Sequence, residues 1–83
     1  MKYSDIYAFR IKQLCKANGI TINRLATLAG LKQSTIDNII HGASKNPKIR
    51  TLHKIAVVFN MTLSEFLDFP ELNEYSIDDE SED

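Results

Sequence analysis

The sequence predicts an all-α fold of five short helices, and three observations carry that prediction. Apolar residues recur at three- and four-residue spacing along most of the chain. Cap-type residues (Ser4, Thr21, Thr62) and stop signals (Gly19, Gly30, Gly42, Pro70) fall at the ends of those runs. No stretch of useful length alternates with period two, apart from a weak segment at 75–77, and nothing repeats at solenoid spacing.

The elements follow in order. Ser4 and Asp5 read as a helix start, a cap followed by an acid in the first turn. Tyr7, Ile11, Leu14 and Cys15 then repeat at helical spacing to a stop at Asn18 and Gly19. Thr21 caps a second helix over 22–29, whose buried face is Leu25, Ala26 and Ala29, and Gly30 closes it. A third helix spans about 33–41, with Ile36, Ile39 and Ile40 inward and Gly42 as its stop. Residues 43–48 form a loop punctuated by Asn46 and Pro47. A fourth helix over about 49–59 buries Leu52, Ile55, Ala56 and Phe59. Thr62 and Glu65 have capping-box spacing and start a fifth helix that runs through Phe69 and ends at Pro70.

Eighty-three residues bound the chain to one small domain with a tail. Its composition, 43% hydrophobic and 25% charged with three Gly and two Pro, excludes collagen-like, low-complexity and wholly disordered classes. No apolar run approaches the ~20 residues a bilayer span needs. The chain opens on no signal-peptide hydrophobic stretch, and its one cysteine, Cys15, cannot form an internal disulfide. The expectation is a cytoplasmic, nucleoid-associated protein with no membrane contact.

Charge is divided unevenly. All ten Lys and Arg lie between Lys2 and Lys54, against only four acids before Pro70 (Asp5, Asp37, Glu65, Asp68), so residues 1–69 carry +6. Residues 70–83 hold seven acids and no base, for −7. This division predicts a domain over 1–69 and an acidic tail over 70–83 that is at least partly disordered, since its end has no apolar surface to bury. A basic domain is the electrostatic footprint of a polyanion binder. The competing reading is a solvated surface with a solubilising tail.

The third helix tips that balance. At 100° per residue from Gln33, Asp37, His41, Ser34 and Asn38 fall between roughly 40° and 140°, while Ile36, Ile39 and Ile40 fall between roughly 240° and 340°. One face is therefore aliphatic and the other carries short side chains with hydrogen-bonding ends. A helix entering a DNA major groove needs this division. Gln and Asn bond adenine bidentately, Ser reads either partner, and Asp accepts from cytosine. A face that only met solvent would more commonly carry Glu and Lys. Beside it, the loop Ser44-Lys45-Asn46-Pro47-Lys48 and Arg50 gather three cations and an amide at the start of the fourth helix, where N-terminal N–H groups also attract anions. Such a cluster holds phosphates and fixes docking register.

On these residues the sequence resembles the phage repressor and Cro-type (XRE-like) helix-turn-helix transcriptional regulators. The matching positions are Thr21, Leu25, Ala26, Ala29-Gly30-Leu31, Gln33-Ser34-Thr35-Ile36, Asn38-Ile39 and Gly42, followed by Pro47, Thr51-Leu52, Lys54-Ile55-Ala56 and Leu63-Ser64-Glu65-Phe66-Leu67. The match covers about residues 5–68, without a gap inside the two central helices. It implies a five-helix repressor-like DNA-binding domain whose helices 2 and 3 form the helix-turn-helix. It further implies that Gln33, Ser34, Asp37 and Asn38 read bases in double-stranded DNA. Thr21, Lys32, Thr35, His41, Lys45, Asn46, Lys48 and Arg50 fall at backbone-contacting positions. A homodimer on DNA, with no cofactor, metal or enzymatic activity, completes the expectation.

Three departures qualify the resemblance. Ile22 stands where the family commonly has Gln, and it cannot bond a phosphate; Asn23 is a candidate substitute. The family's Arg–Glu pair between the first and third helices is replaced by Cys15 and Ile40, an apolar exchange that is often neutral or stabilising. The reading face has no Arg, the commonest guanine reader, which predicts an A·T-leaning site.

The remaining residues add little chemistry. Cys15 reads as core, His41 and His53 lack the company a zinc site needs, and no nucleophile–base pairing or Gly-rich phosphate loop is present. Arg10, Lys12 and Lys16 read as solvated, with a neighbouring phosphate in reach of one of them. Leu72, Tyr75 and Ile77 are placed to pack on the fifth helix or against a second subunit. The alternative function is a protein-interaction module, such as an antitoxin, that uses this C-terminal segment.

Overall fold

A computed structural model describes residues 1–79. Helices α1 (Tyr3–Asn18), α2 (Ile22–Ala29), α3 (Gln33–Ile40), α4 (Ile49–Val58), α5 (Leu63–Leu67) and α6 (Pro70–Asn73) are followed by a 3-10 turn at Ile77–Asp79. No strand occurs among the described residues. Of the tail over 70–83, expected to be at least partly disordered, the described part holds α6 and the 3-10 turn, and residues 80–83 lie outside the described residues.

Two expectations about helix ends are corrected. The first helix begins at Tyr3, with Lys2 at the cap position and no capping side chain, so Ser4 and Asp5 lie inside its first turn. There Asp5 still complements the helix dipole. The fifth helix stops at Leu67 instead of reaching Phe69, and Pro70 opens a sixth helix instead of only ending the fifth. Phe69 is extended (φ −146°, ψ 150°). Proline suits the position after it, because its fixed φ is helical and its missing N–H would have had no partner there.

Periodicity located the core. Ile11, Leu25, Ile36, Ile39, Leu52 and Ile55 are buried, joined by Ile6 and Phe66. Leu14, Ile40 and Phe59, expected inside, pack half-buried at its margin. Ala29 is also half-buried. So few residues cannot surround every helix end, and side chains near the termini keep one side in water. The main packing pairs α1 with α3, α2 with α4 and α4 with α5. Thr62 and Glu65 make the expected capping box, with Thr62 N–H donating to Glu65 Oε1 at 2.8 Å and Glu65 N–H donating to Thr62 Oγ1 at 3.1 Å.

Of the C-terminal trio, Leu72 lies against the core. The Tyr75 ring meets Tyr3 of α1 edge-on at 5.1 Å, and Ile77 is 62% exposed.

Candidate nucleic-acid interface

The turn between α2 and α3 is built by backbone chemistry. Thr21 Oγ1 accepts from the Arg24 N–H at 3.0 Å and so opens α2. At the other end Gly30 adopts φ 68°. Leu31 N–H donates to the Ala26 carbonyl at 2.9 Å and Gly30 N–H to that of Thr27 at 3.2 Å. This paired closure, with its left-handed residue, reverses the chain sharply enough for α3 to start at Gln33. Lys32 takes the cap position of α3 without a side-chain hydrogen bond, so its side chain caps none of the first amides of the helix.

The division of α3 expected from its periodicity is present. Ile36 and Ile39 are buried, whereas Gln33, Ser34, Asn38 and His41 are exposed and Thr35 and Asp37 half-buried. Gln33 Nε2 donates to Asp37 Oδ1 at 2.9 Å, so two of the expected base readers are bonded to each other. After the helix, Gly42 takes φ 77° and the Ser44 N–H returns to the Asn38 carbonyl at 2.9 Å. That bond ties the basic loop to α3.

Between α3, the loop and the start of α4 lies a cleft of about 340 Å³, lined by Thr35, Asn38, Ser44, Asn46, Lys48 and Thr51 among others. It brings two expected backbone contacts from the loop, Asn46 and Lys48, to Thr35 and Asn38 of α3. Lys32, Lys45 and Arg50 are exposed. Lys48 occupies the cap position of α4 without capping it, so that helix also presents amides beside a cation. Thr21 is exposed, and its hydroxyl keeps a hydrogen to donate beyond the cap it makes.

The departures from the family pattern have local accounts. Ile22 packs against the core, filling apolar space where the family has an amide. Cys15 is buried, and that burial pushes its thiol pKa up, which disfavours the reactive thiolate. Asn23 is exposed, with its backbone carbonyl accepting from Thr27 Oγ1 at 3.3 Å.

One structural residue escaped the sequence reading. Arg10, expected to be solvated, donates from Nε to the Phe66 carbonyl at 2.9 Å and from Nη2 to that of Glu65 at 3.1 Å. Its guanidinium lies 5.0 Å from the Phe69 ring centroid. Partners 55 and 56 residues away leave no local sequence signal. Lys12 and Lys16 are exposed, as expected. Among the described residues no group of three or more His, Cys, Asp or Glu is placed to hold a metal, and no helix is long and apolar enough to cross a membrane.

The geometry has close counterparts among known proteins. The crystal structure of the prophage Lp1 protein 11 superposes with a TM-score of 0.77 at 38% identity, covering 87% of this chain and 95% of that one. The N-terminal DNA-binding domain of SinR from Bacillus subtilis gives 0.70 at 31% identity, over 78% of this chain and 94% of that domain. In sequence, the HTH-type transcriptional regulator SinR of Bacillus subtilis is 33% identical over 66 residues, and that match spans 80% of this chain but 60% of the regulator. RghRB, another HTH-type transcriptional regulator of that species, is 33% identical over 52 residues, 63% of this chain and 37% of RghRB. The family model for the Cro/C1-type helix-turn-helix DNA-binding domain matches residues 10–71, and the chain belongs to that family.

Proposed function

We propose that this chain is the DNA-reading unit of a transcriptional regulator, a repressor that occupies an operator with α3 in the major groove. The observation that carries the reading is α3 itself. Its aliphatic side is buried, its polar side is exposed, and the uncapped, cation-bearing start of α4 stands across one cleft from it. In this reading Gln33, Ser34, Asp37 and Asn38 face base edges. Thr21, Lys32, Thr35, His41, Lys45, Asn46, Lys48 and Arg50 hold the phosphate backbone. Repression by occlusion needs no chemistry beyond that face, so no cofactor or catalytic step enters.

A homodimer suits the task, because two reading helices one DNA turn apart, about 34 Å, add their individual contacts. The functional division we assign is a DNA-binding body over 1–69 and an acidic tail over 70–83, with the protein working at the nucleoid in the cytoplasm. The names of the SinR and RghRB relatives support regulation of transcription. The interaction-module alternative is not favoured, since the family matched is a DNA-binding one.

Fluorescence anisotropy on a pool of random duplexes, titrated with salt and followed by sequencing of the bound fraction, tests the reading. An enriched two-fold-symmetric motif with a steep salt dependence is the expected result. A salt slope without a motif would reduce the chain to a basic body on a polyanion, and no binding at low salt would overturn the proposal.

A further inference from the structure

The geometry points to Asp37 as a positioning residue that sets Gln33 to read adenine and reject guanine; this rests on α3 being the base-reading helix. Gln33 Nε2 lies 2.9 Å from Asp37 Oδ1, one helical turn away. An ionised carboxylate only accepts, so the bond fixes which end of the amide faces Asp37: Nε2 points to it and Oε1 points away. The nitrogen gives one hydrogen to Asp37 and keeps the other; with the donated hydrogen taken as the one trans to Oε1, the one kept stands beside Oε1. What remains free on Gln33 is one donor next to one acceptor. The major-groove edge of adenine offers the complement, an N7 acceptor next to an N6 donor. Guanine offers two acceptors, O6 and N7, and a reader of guanine must bring two donors. A free glutamine supplies two from its NH₂ group; Gln33 held by Asp37 has one left.

Two further observations favour a role through Gln33. Asp37 lies in the second half of an eight-residue helix, where the dipole disfavours a carboxylate, and Asp is a poor helix former. On a face that meets phosphates, a bare carboxylate also lowers affinity. Both penalties make sense if the carboxylate, facing the base edges beside Gln33, acts there by orienting its neighbour.

The test is selection from a randomised duplex pool with the full chain and its Asp37→Ala and Gln33→Ala variants, followed by titration of duplexes carrying A·T or G·C at the selected position. The wild type is expected to select adenine at one position per half-site and to prefer it over guanine by roughly tenfold or more. Asp37→Ala is expected to bring that preference within about threefold while tightening binding to random duplex, a pair of changes that a purely structural role would not produce. In the Gln33→Ala background, adding Asp37→Ala is expected to leave discrimination unchanged. Asp37→Asn, which retains an acceptor, is expected to fall between. An enriched motif whose adenine preference survives Asp37→Ala, or one with guanine at that position, overturns the inference and leaves DNA reading intact. No motif with any variant overturns both.

Discussion

The Arg10 guanidinium, reaching from α1, closes the C-terminal end of α5, donating to the Phe66 carbonyl at 2.9 Å and the Glu65 carbonyl at 3.1 Å. A helix of five residues cannot hold itself together by its own hydrogen bonds, and its last carbonyls need outside donors. Arg10 supplies them in a fork and lays its flat group by the Phe69 ring. Arg10→Ala is therefore expected to destabilise the fold by about 2 kcal/mol, and Arg10→Lys by nearly as much, because an ammonium cannot make the fork. Thermal unfolding should show a fall of roughly 8–16 °C for a domain of this size. If Arg10→Lys melts like the wild type, the bidentate geometry is not what stabilises α5.

Tyr7 gives the stability a defined alkaline limit. Its hydroxyl is 2.9 Å from that of Tyr3, and burial first, then this bond and the neighbouring phenol's charge, push its pKa up from 10 to about 12. The folded state thus binds the phenol proton more tightly than the unfolded chain does. The resulting stability is fully present below pH 10 and is lost as the pH rises toward 12. The loss amounts to about 2 kcal/mol. Urea unfolding at a series of pH values from 9 to about 12 should show this decline, and Tyr7→Phe should flatten it. A wild-type profile that matches that of Tyr7→Phe throughout would exclude Tyr7 as its source.

Much of the fold was legible because helical periodicity and turn chemistry are local. Gly30 and Thr21 mark the ends of α2, and Thr62 and Glu65 mark the start of α5, by interactions spanning only a few residues. Pro70 was read with the wrong sense because proline both ends one helix and starts another, and only the extended backbone of Phe69 separates the two. Arg10 was missed because its partners are distant in sequence. In the candidate site, the exposed positions of α3 followed from residue type and angle. The Gln33–Asp37 bond did not, since helical spacing brings two side chains within reach without saying whether they meet.

The backbone at two helix ends predicts opposite responses to substitution. Gly30 and Asn60 both follow a helix in the left-handed region, at φ 68° and 60°. The pair of bonds at Gly30 has its counterpart at Asn60, where Met61 N–H donates to the Ala56 carbonyl and Asn60 N–H to that of Val57, each at 3.0 Å. A Cβ built on Gly30 meets nothing within 4 Å, so Gly30→Ala carries a purely conformational penalty of about 1–2 kcal/mol. Asn60→Gly removes the penalty that Asn already bears, and is expected to be neutral or stabilising by up to about 1 kcal/mol. Chemical denaturation of the two variants should place them on opposite sides of the wild type. Similar destabilisation in both would mean that side-chain contacts of Asn60 outweigh its backbone strain.

Lys48 and Asn38 line one cleft yet should fail differently when removed. Lys48 stands at the start of α4 as a point charge, and a phosphate contact carries no sequence information. Lys48→Ala is expected to weaken selected and random duplexes alike and to make the slope of log affinity against log salt shallower by about 0.9 per chain. Asn38 is uncharged and exposed on the polar face of α3, so Asn38→Ala should leave the slope unchanged. It should cost about 1–3 kcal/mol on the selected duplex, and little on random sequence. The Ser44 N–H bonds the Asn38 backbone carbonyl, which the alanine keeps, so the loop stays in place and the two effects remain separable. A change of slope in Asn38→Ala, or a loss of discrimination confined to Lys48→Ala, would reverse the assignment of reading and anchoring to these two residues.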